Sequence, residues 1–586
     1  MNDRFDNLNY IWAGLMVDEL VRNGAECFCM ASGSRSAPLA LAMARHPSIH
    51  PVIHCDERAT AFFALGHARA TGRPAVWVTT SGTAVANGLP AVIEASQDRV
   101  PLILITADRP PEMRDCGSNQ TIDQVNLFGR YSRWQFDMPC PDTDIPAEMI
   151  LTTVDQAYYR ATRSPAGPVH INCMFREPLA PEPDGGDYHV YMDSLRSWRS
   201  SGGPFTRYSQ SVSFPEDRVL DMVLKEAEEA GRGIIVLGKL EWEGERESVR
   251  ALLGRISWPV LADVTSGFRL GCDLENIIPY YDHILLDANM CDELKPDFIW
   301  HIGGAVTSKR LQEFIRDSGA TYIVMKNHPL RQDPYHKAEY SLETDPSSVS
   351  TLMNQREISF SNCSTLNAWK TASGKINETV TGYLSNDGPP NEPSVARSIS
   401  TTIPADHGLF MANSMPIRDM DMYAGFSDDG PSVAANRGAS GIDGIISTAA
   451  GYTSGLGAPV TLLIGDLAFI HDMASLRLLK ELNLDITVVL LNNNGGAIFS
   501  FLPVAAFGKE FETCFGTPHD LTFEHAARLF ALTYHNPASQ KEFDEVYRKA
   551  VHEKGPRLIE VNTTRPENLD VHQAIRKHVI QALEEG

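Results

Sequence analysis

Two apolar runs in the C-terminal third of the chain, residues 459–464 and 486–491, each stop abruptly at polar, glycine-containing sequence. Uninterrupted apolar runs of this length predict strands buried on both faces. The first ends at Gly465-Asp466-Leu467 and the second at Asn492-Asn493-Asn494-Gly495-Gly496. Between them, residues 473–482 repeat apolar positions at helical spacing, so the segment reads as β-α-β. A right-handed crossover then puts both strand ends on one edge of a parallel sheet. Runs at 27–30, 75–80 and 101–106, and again at 233–238, 298–304 and 321–325, predict further strands, with helical patterns such as 59–68 between them. This alternation predicts an α/β fold of three doubly wound parallel-sheet domains. The domains are expected at 1–180, 216–350 and 393–586. Linkers rich in Pro, Gly, Ser and Asn are expected at 181–215 and 351–392. No short-period repeat is present; what repeats is the architecture.

Length and composition narrow the function classes. The 586 residues, 43% of them apolar, suffice for about three or four domains. The net charge of −23 argues against nucleic acid and against an anionic membrane surface as the main partner. The ten cysteines include no Cys-x-x-Cys, which predicts reduced, mostly buried thiols in a cytoplasmic protein. The residues after Met1 do not read as a signal peptide, and no apolar run reaches the ~18 residues of a membrane span, so no membrane insertion is expected.

Candidate chemistry gathers at the predicted strand ends. Asp466 and Asn493, 27 positions apart, bring a carboxylate and an amide oxygen to one sheet edge beside the Gly495-Gly496 backbone. Those are hard oxygen donors of the kind Mg²⁺ takes while also carrying phosphate. The same spacing also arises from an N-capping Asp and an ordinary Asn-Gly turn, so both readings stand. Glu57 precedes a predicted helix, where a carboxylate also serves the helix dipole. Ser34-Arg35, residues 79–84, Arg109, Asn119-Gln120, Lys309-Arg310, Ser414, Arg418 and Arg437 lie at or near Gly/Ser-rich strand ends. Any one such arginine reads as a surface charge. Their repetition in an acidic chain points to substrates with more than one carboxylate. The dinucleotide fingerprint, the Walker A motif, the Gly-x-Ser-x-Gly elbow and His-Glu-x-x-His are all missing, which removes the commonest α/β enzyme classes.

With these residues in view, the chain resembles the thiamine diphosphate (ThDP) dependent enzymes. Their motif of Gly-Asp-Gly, roughly 25 residues and Asn-Asn is matched by Gly465-Asp466-Leu467 and Asn492-Asn493. Leu467 departs from the general pattern and is similar to one branch, the 2-succinyl-5-enolpyruvyl-6-hydroxy-3-cyclohexene-1-carboxylate (SEPHCHC) synthases of menaquinone biosynthesis. Residues 33–39, 56–58, 106–112, 116–120, 436–444 and 492–500 resemble that family, and the central block less so, mainly through Lys309-Arg310.

The resemblance implies a pyrimidine-binding first domain and a diphosphate-binding third domain. It implies decarboxylation of 2-oxoglutarate and 1,4-addition of the succinyl unit to isochorismate, which makes the protein a transferase. The alternative is another ThDP carboligase or 2-oxo acid decarboxylase of the acetolactate synthase type. Implied roles are Glu57 on the pyrimidine N1′, Ile442 as the prop of the cofactor, and Ile498 and Phe499 beside it. Asp466, Asn493 and the Gly495 carbonyl would bind Mg²⁺, with Mn²⁺ also suited. Ser414, Arg418 and Arg437 would hold the succinyl-side carboxylate. Ser34, Arg35, Asn119, Gln120, Lys309 and Arg310 would hold isochorismate, with Arg109 lining the same cavity. The family's active sites form across a dimer, so a homodimer or homotetramer is expected.

Overall fold

The computed structural model describes residues 7–211, 213–240, 243–355, 360, 364–385 and 388–585. The chain forms two compact units. The first holds residues up to 211 together with 436–457 and 474–478; the second holds 212–435, 458–473 and 479 onward.

The first unit is built on a six-stranded parallel sheet of β1 (Phe28–Met30), β2 (Val52–Ile53), β3 (Ala75–Thr79), β4 (Leu102–Asp108), β5 (Trp134–Met138) and β6 (Pro168–Met174). Its order is β2-β1-β3-β4-β6-β5. Every residue of β3, β4 and β6 is buried, as in strands covered on both faces, and this includes the polar Thr106 and Asp108 of β4 and His170 and Asn172 of β6. Because β1 has β2 on one side and β3 on the other, the chain reverses its direction of travel there. Open α/β sheets bind ligands at the carboxyl ends flanking such a switch point.

Segment 436–457 belongs to this unit for a steric reason. Helix Glu57–Thr71 crosses helix Ile445–Leu456 at backbone contact. A Cβ on Gly66 would lie 1.9 Å from the Thr448 carbonyl oxygen, and one on Gly451 would lie 2.0 Å from that of Phe63. The expected linker also has structure. Residues 189–193 and 196–200 are short helices that bury Met192, Leu195 and Trp198 in the first core. Trp198 Nε1 donates to Glu19 Oε2 at 2.6 Å. Pro/Gly/Ser-rich composition hides these few apolar anchors.

The second unit contains two parallel sheets. One comprises β7 (Gly233–Leu237), β8 (Val260–Ala262), β9 (Phe298–Ile302), β10 (Thr321–Lys326) and β11 (Tyr340–Glu343), in the order β11-β10-β9-β7-β8. The other comprises β12 (Gly408–Met411), β13 (Ser432–Ala435), β14 (Val460–Gly465), β15 (Ile486–Asn492), β16 (Thr533–His535) and β17 (Arg557–Asn562), in the order β13-β12-β14-β15-β17-β16. Its switch point lies between β12 and β14. The two sheets share a unit because helix Leu366–Leu384, inside the second expected linker, buries Trp369, Ile376 and Val380 with Ile575, Val579 and Leu583 of helix Arg565–Glu584.

The crossover from β14 to β15 differs from the single helix expected at 473–482. It is a short helix over Asp466–His471, a 3₁₀ turn over Met473–Ser475 and a second short helix over Leu476–Glu481. The three sheets agree with the expected fold class. Among the described residues, no helix is long and apolar enough to cross a membrane. Nine cysteines are described, none in a disulfide; five are buried, and Cys55, Cys116 and Cys514 are exposed.

Candidate active site

Register sets the first half of the site. In the β14–β15 pairing Gly465 stands opposite Leu491, which brings Asp466 alongside the Asn492-Asn493 end of β15. Asp466 is the first residue of its helix and is buried. Its Oδ1 accepts the Leu467 N–H at 2.6 Å; its Oδ2 accepts the Gly495 N–H at 2.9 Å and lies 3.1 Å from His519 Nε2. Gly495 has φ of +131°, and a Cβ there would lie 1.9 Å from the Gly516 carbonyl oxygen, so only glycine fits. The turn is pinned by Asn494, whose Oδ1 accepts the N–H groups of His519 and Asp520, each at 2.8 Å. Asn493 is buried, and its Nδ2 donates to Glu392 Oε1 at 2.8 Å. Its Oδ1 is buried with no partner.

A buried amide oxygen left unpaired costs about 1–3 kcal/mol. A cation would offset that cost. Among the described residues no group of three His, Cys, Asp or Glu side chains forms a metal cluster. The oxygens present are the Asp466 carboxylate, the unpaired Asn493 Oδ1 and the Gly495 carbonyl, which accepts the Ala497 N–H at 3.0 Å and keeps a second lone pair; hard divalent ions take such oxygens. Beside it the Gly465 backbone borders open space, since a Cβ there would meet nothing within 4 Å. These residues fit Mg²⁺ or Mn²⁺.

Behind Asn493 lies a buried acidic group. Burial, and after it the neighbouring Asp419, pushes the Glu392 carboxyl up to about 8, against the pull of the Asn493 amide. Burial also raises Asp419, which His572 opposes from 3.2 Å. The Tyr423 hydroxyl and His572 Nδ1 are 2.7 Å apart.

In the first unit the switch point between β1 and β3 gathers cations. The loops after the two strands touch: a Cβ on Gly33 would lie 2.3 Å from the Thr80 side chain. Arg35, buried, donates from Nη1 to the Phe175 carbonyl at 2.8 Å and lies 3.4 Å from Glu177, while its Nε has no partner. Arg109, buried at the end of β4, donates to the Ser81 hydroxyl and, at 2.7 Å, to the Gln120 carbonyl. Gln120 Nε2 donates to the Ser81 carbonyl at 2.9 Å. Burial, and then the nearby Arg35 charge, lowers the Arg109 guanidinium from its ordinary value. Arg35 and Arg109 are thus close enough at the sheet edge for one charge to act on the other. Ser34, Asn119 and Gln120 are exposed at its rim.

The other expected site residues occupy separate positions. In the first unit Glu57 is half-buried just after the N-cap Asp56, and its Oε2 accepts from Asn87 Nδ2 at 3.0 Å. Arg437 is half-buried and Ile442 exposes 40% of its surface, an unusual exposure for isoleucine in a packed chain. In the second unit Ser414 follows β12 at the switch point with φ of +73°, a strained conformation for a non-glycine residue. Arg418 donates to the Ser414 carbonyl at 2.5 Å, one helical turn on. Arg310 pairs with the buried Asp282, whereas the Lys309 ammonium is exposed and lies 3.6 Å from Glu313 on its own helix. Ile498 and Phe499 are half-buried in the 3₁₀ segment Ala497–Phe501.

Glu392 and His519 touch Asn493 and Asp466, with Asp419 and His572 behind Glu392, and none of the four belongs to a motif in the sequence. Asn391-Glu392-Pro393 carries the signal of a helix N-terminus, but nothing in the sequence ties that helix to Asn493. Glu94 lies outside the sequence motifs as well. It is buried and accepts the N–H groups of Gly438 and Ala439 at 2.8 and 2.7 Å, anchoring the loop that carries Arg437.

Three family models match along the chain. Residues 12–127 match the family "Thiamine pyrophosphate enzyme, N-terminal TPP binding domain" (thiamine pyrophosphate is a synonym of ThDP). Residues 189–411 match "Middle domain of thiamine pyrophosphate", and 423–561 match "Thiamine pyrophosphate enzyme, C-terminal TPP binding domain". The SEPHCHC synthase of Rubrobacter xylanophilus is 47% identical over 98% of this chain and 99% of its own. That of Salinibacter ruber is 42% identical over 99% of this chain and 98% of its own. That of Chlorobaculum parvum is 41% identical over 97% and 96%. Such identity along nearly the whole of each chain, with Asp466, Asn493 and Gly495 gathered at paired strand ends, means that this chain belongs to the SEPHCHC synthase family of ThDP-dependent enzymes.

Proposed function

We propose that this protein decarboxylates 2-oxoglutarate with ThDP and adds the remaining succinyl unit to isochorismate in a 1,4-addition, releasing CO₂ and SEPHCHC for menaquinone or phylloquinone biosynthesis. Family membership over the whole chain supports the reaction. The observation that carries the site is the buried, unpaired Asn493 Oδ1 in the strand-end pocket of Asp466 and Gly495. When bound, ThDP supplies the electron sink that lets a 2-oxo acid lose CO₂.

The chain's own residues bind, orient and move protons. Asp466, Asn493 and the Gly495 carbonyl hold Mg²⁺, or Mn²⁺, on the diphosphate. Glu57 would hold a proton at the pyrimidine N1′, Ile442 would support the cofactor, and Ile498 and Phe499 would line its site. Ser414, Arg418 and Arg437 bind the distal carboxylate of 2-oxoglutarate. Ser34, Arg35, Asn119, Gln120, Lys309 and Arg310 bind isochorismate, with Arg109 in the same cavity. Two dicarboxylic substrates account for so many arginines in a chain of net charge −23. Glu57 and Asp466 lie more than 400 residues apart on separate units, which suits active sites completed across a homodimer or homotetramer in the cytoplasm.

The test is an assay with both substrates and identification of the product. CO₂ release from 2-oxoglutarate and formation of SEPHCHC are expected. Release from pyruvate but not from 2-oxoglutarate would instead identify an acetolactate synthase-like carboligase or a simple decarboxylase.

A further inference from the structure

An asparagine amide has nearly the same shape after a half-turn, but its two ends are opposite in character. One is an acceptor that a cation attracts; the other is a donor that a cation repels. An Asn ligand therefore needs a partner that distinguishes its ends. At Asn493 that partner is Glu392. The Asn493 Nδ2 donates to Glu392 Oε1 at 2.8 Å, and Oδ1 is left without a partner. With the amide reversed, Oδ1 would face the oxygen that also accepts from Thr563 Oγ1, and the NH₂ group would take the place of Oδ1.

Glu392 is itself held in place. It is the first residue of helix Glu392–Thr402, 1% exposed, and directly follows the N-cap of a capping box. In that box Asn391 Oδ1 accepts the Ser394 N–H at 2.9 Å, while the Asn391 N–H donates to Ser394 Oγ at 3.0 Å. Thr563 Oγ1 donates to the same Glu392 Oε1 at 3.4 Å, and the Thr563 N–H bonds the Asn492 carbonyl at 2.9 Å. The carboxyl is thus tied both to Asn493 and to Thr563, just after the neighbouring strand β17. Its other oxygen, Oε2, is buried with no partner, so the hydrogen bonds of this carboxyl all run through the atom facing Asn493.

We propose that Glu392 is a positioning residue that fixes the Asn493 amide with its oxygen toward the cation. The inference rests on the reading of Asp466, Asn493 and Gly495 as the metal site and adds a determinant of that site's affinity. Partners that orient a metal ligand typically change affinity by about 10–100-fold when removed.

The experiment titrates metal-stripped protein in excess ThDP with Mn²⁺ and reads protein-bound metal from loss of the free-ion electron paramagnetic resonance signal beyond that of a protein-free ThDP blank. Melting temperatures of the metal-free variants serve as the folding control. Glu392→Gln keeps an acceptor oxygen and is expected to bind Mn²⁺ within about threefold of the parent. Glu392→Met removes the acceptor and should weaken binding about 10–100-fold. Glu392→Ala is a second acceptor-free variant, read the same way if the Met variant does not fold. In an Asn493→Asp background either side-chain oxygen can face the metal, so removing Glu392 should cost less than threefold. A merely structural role would produce the same loss in both backgrounds, and that result overturns the proposal, as does unchanged Mn²⁺ affinity in the acceptor-free variants. Asp466→Ala separates the two levels. If it leaves Mn²⁺ binding intact, the metal site itself is misassigned; if it abolishes binding while the Glu392 variants bind normally, only the positioning role fails.

Discussion

Gly495 gives its backbone N–H to Asp466 Oδ2 at 2.9 Å, so the residue proposed to offer a carbonyl to the cation also holds the carboxylate proposed to bind it. Both ends of one residue thereby depend on a single backbone geometry. Gly495→Ala introduces a Cβ that would lie 1.9 Å from the Gly516 carbonyl oxygen, at a φ of +131° that alanine avoids. The strain is of order 1–3 kcal/mol and must be relieved by moving the turn. Mn²⁺ affinity should fall more than about tenfold, with a lower melting temperature in the metal-free protein. Parental affinity would count against the proposed Gly495 ligand.

Glu57→Gln should keep ThDP affinity within a few-fold while kcat falls by about 10²–10⁴, the usual range for removing a proton-transfer group. ThDP titration by tryptophan fluorescence and steady-state rates of CO₂ release check the two halves of this expectation. Equal turnover in parent and variant would refute the role given to Glu57.

Arg109→Lys preserves a charge but loses the planar fork that reaches both the Ser81 hydroxyl and the Gln120 carbonyl. The KM for isochorismate should rise about tenfold, equivalent to roughly 1.4 kcal/mol of binding, and Arg109→Ala should raise it further. The KM for 2-oxoglutarate should change little. Initial-rate measurements with each substrate varied in turn would expose the opposite pattern.

Stability should depend on pH through Glu19. Burial, and after it the bond to Asp155, pushes this carboxyl from 4.5 up to about 8, while the Phe205 N–H and Trp198 Nε1 pull the other way. Between those values the folded chain keeps a proton that the unfolded chain releases. The contribution is therefore whole below about pH 4.5 and declines as pH rises to about 8. Glu19→Gln should flatten that decline by about 1–3 kcal/mol, measured as urea unfolding of the isolated protein at about pH 5 and pH 8.5. An unchanged pH slope would show that Glu19 does not titrate in this range.

The elements that could be read in advance are those with strong local signals. Uninterrupted apolar runs gave β4, β14 and β15 to within about two residues at their ends, because strands covered on both faces admit no polar alternation. The two supposed linkers misled for the opposite reason. Trp198 and Trp369 are single large anchors in polar stretches, and whether such a residue is buried depends on distant partners. Asp466 and Asn493 could be paired by their spacing in one β-α-β unit. Glu392, about a hundred residues before Asn493, could not, since helix Glu392–Thr402 and β15 meet only once the sheet has assembled.

The sequence by itself determined the parallel α/β class, the resemblance to the ThDP enzymes and the residues at each strand end, because local periodicity and motif chemistry are written in neighbouring positions. Only the tertiary structure decided the strand order, and with it the switch points that bring Arg35 near Arg109 and put Ser414 and Asp466 at the ends of adjacent strands. It alone decided that residues 436–457 pack with the first unit and that Glu392 faces Asn493. Strand order and burial are settled by contacts between residues far apart in the chain, which depend on how the whole core packs and leave little trace in any local stretch.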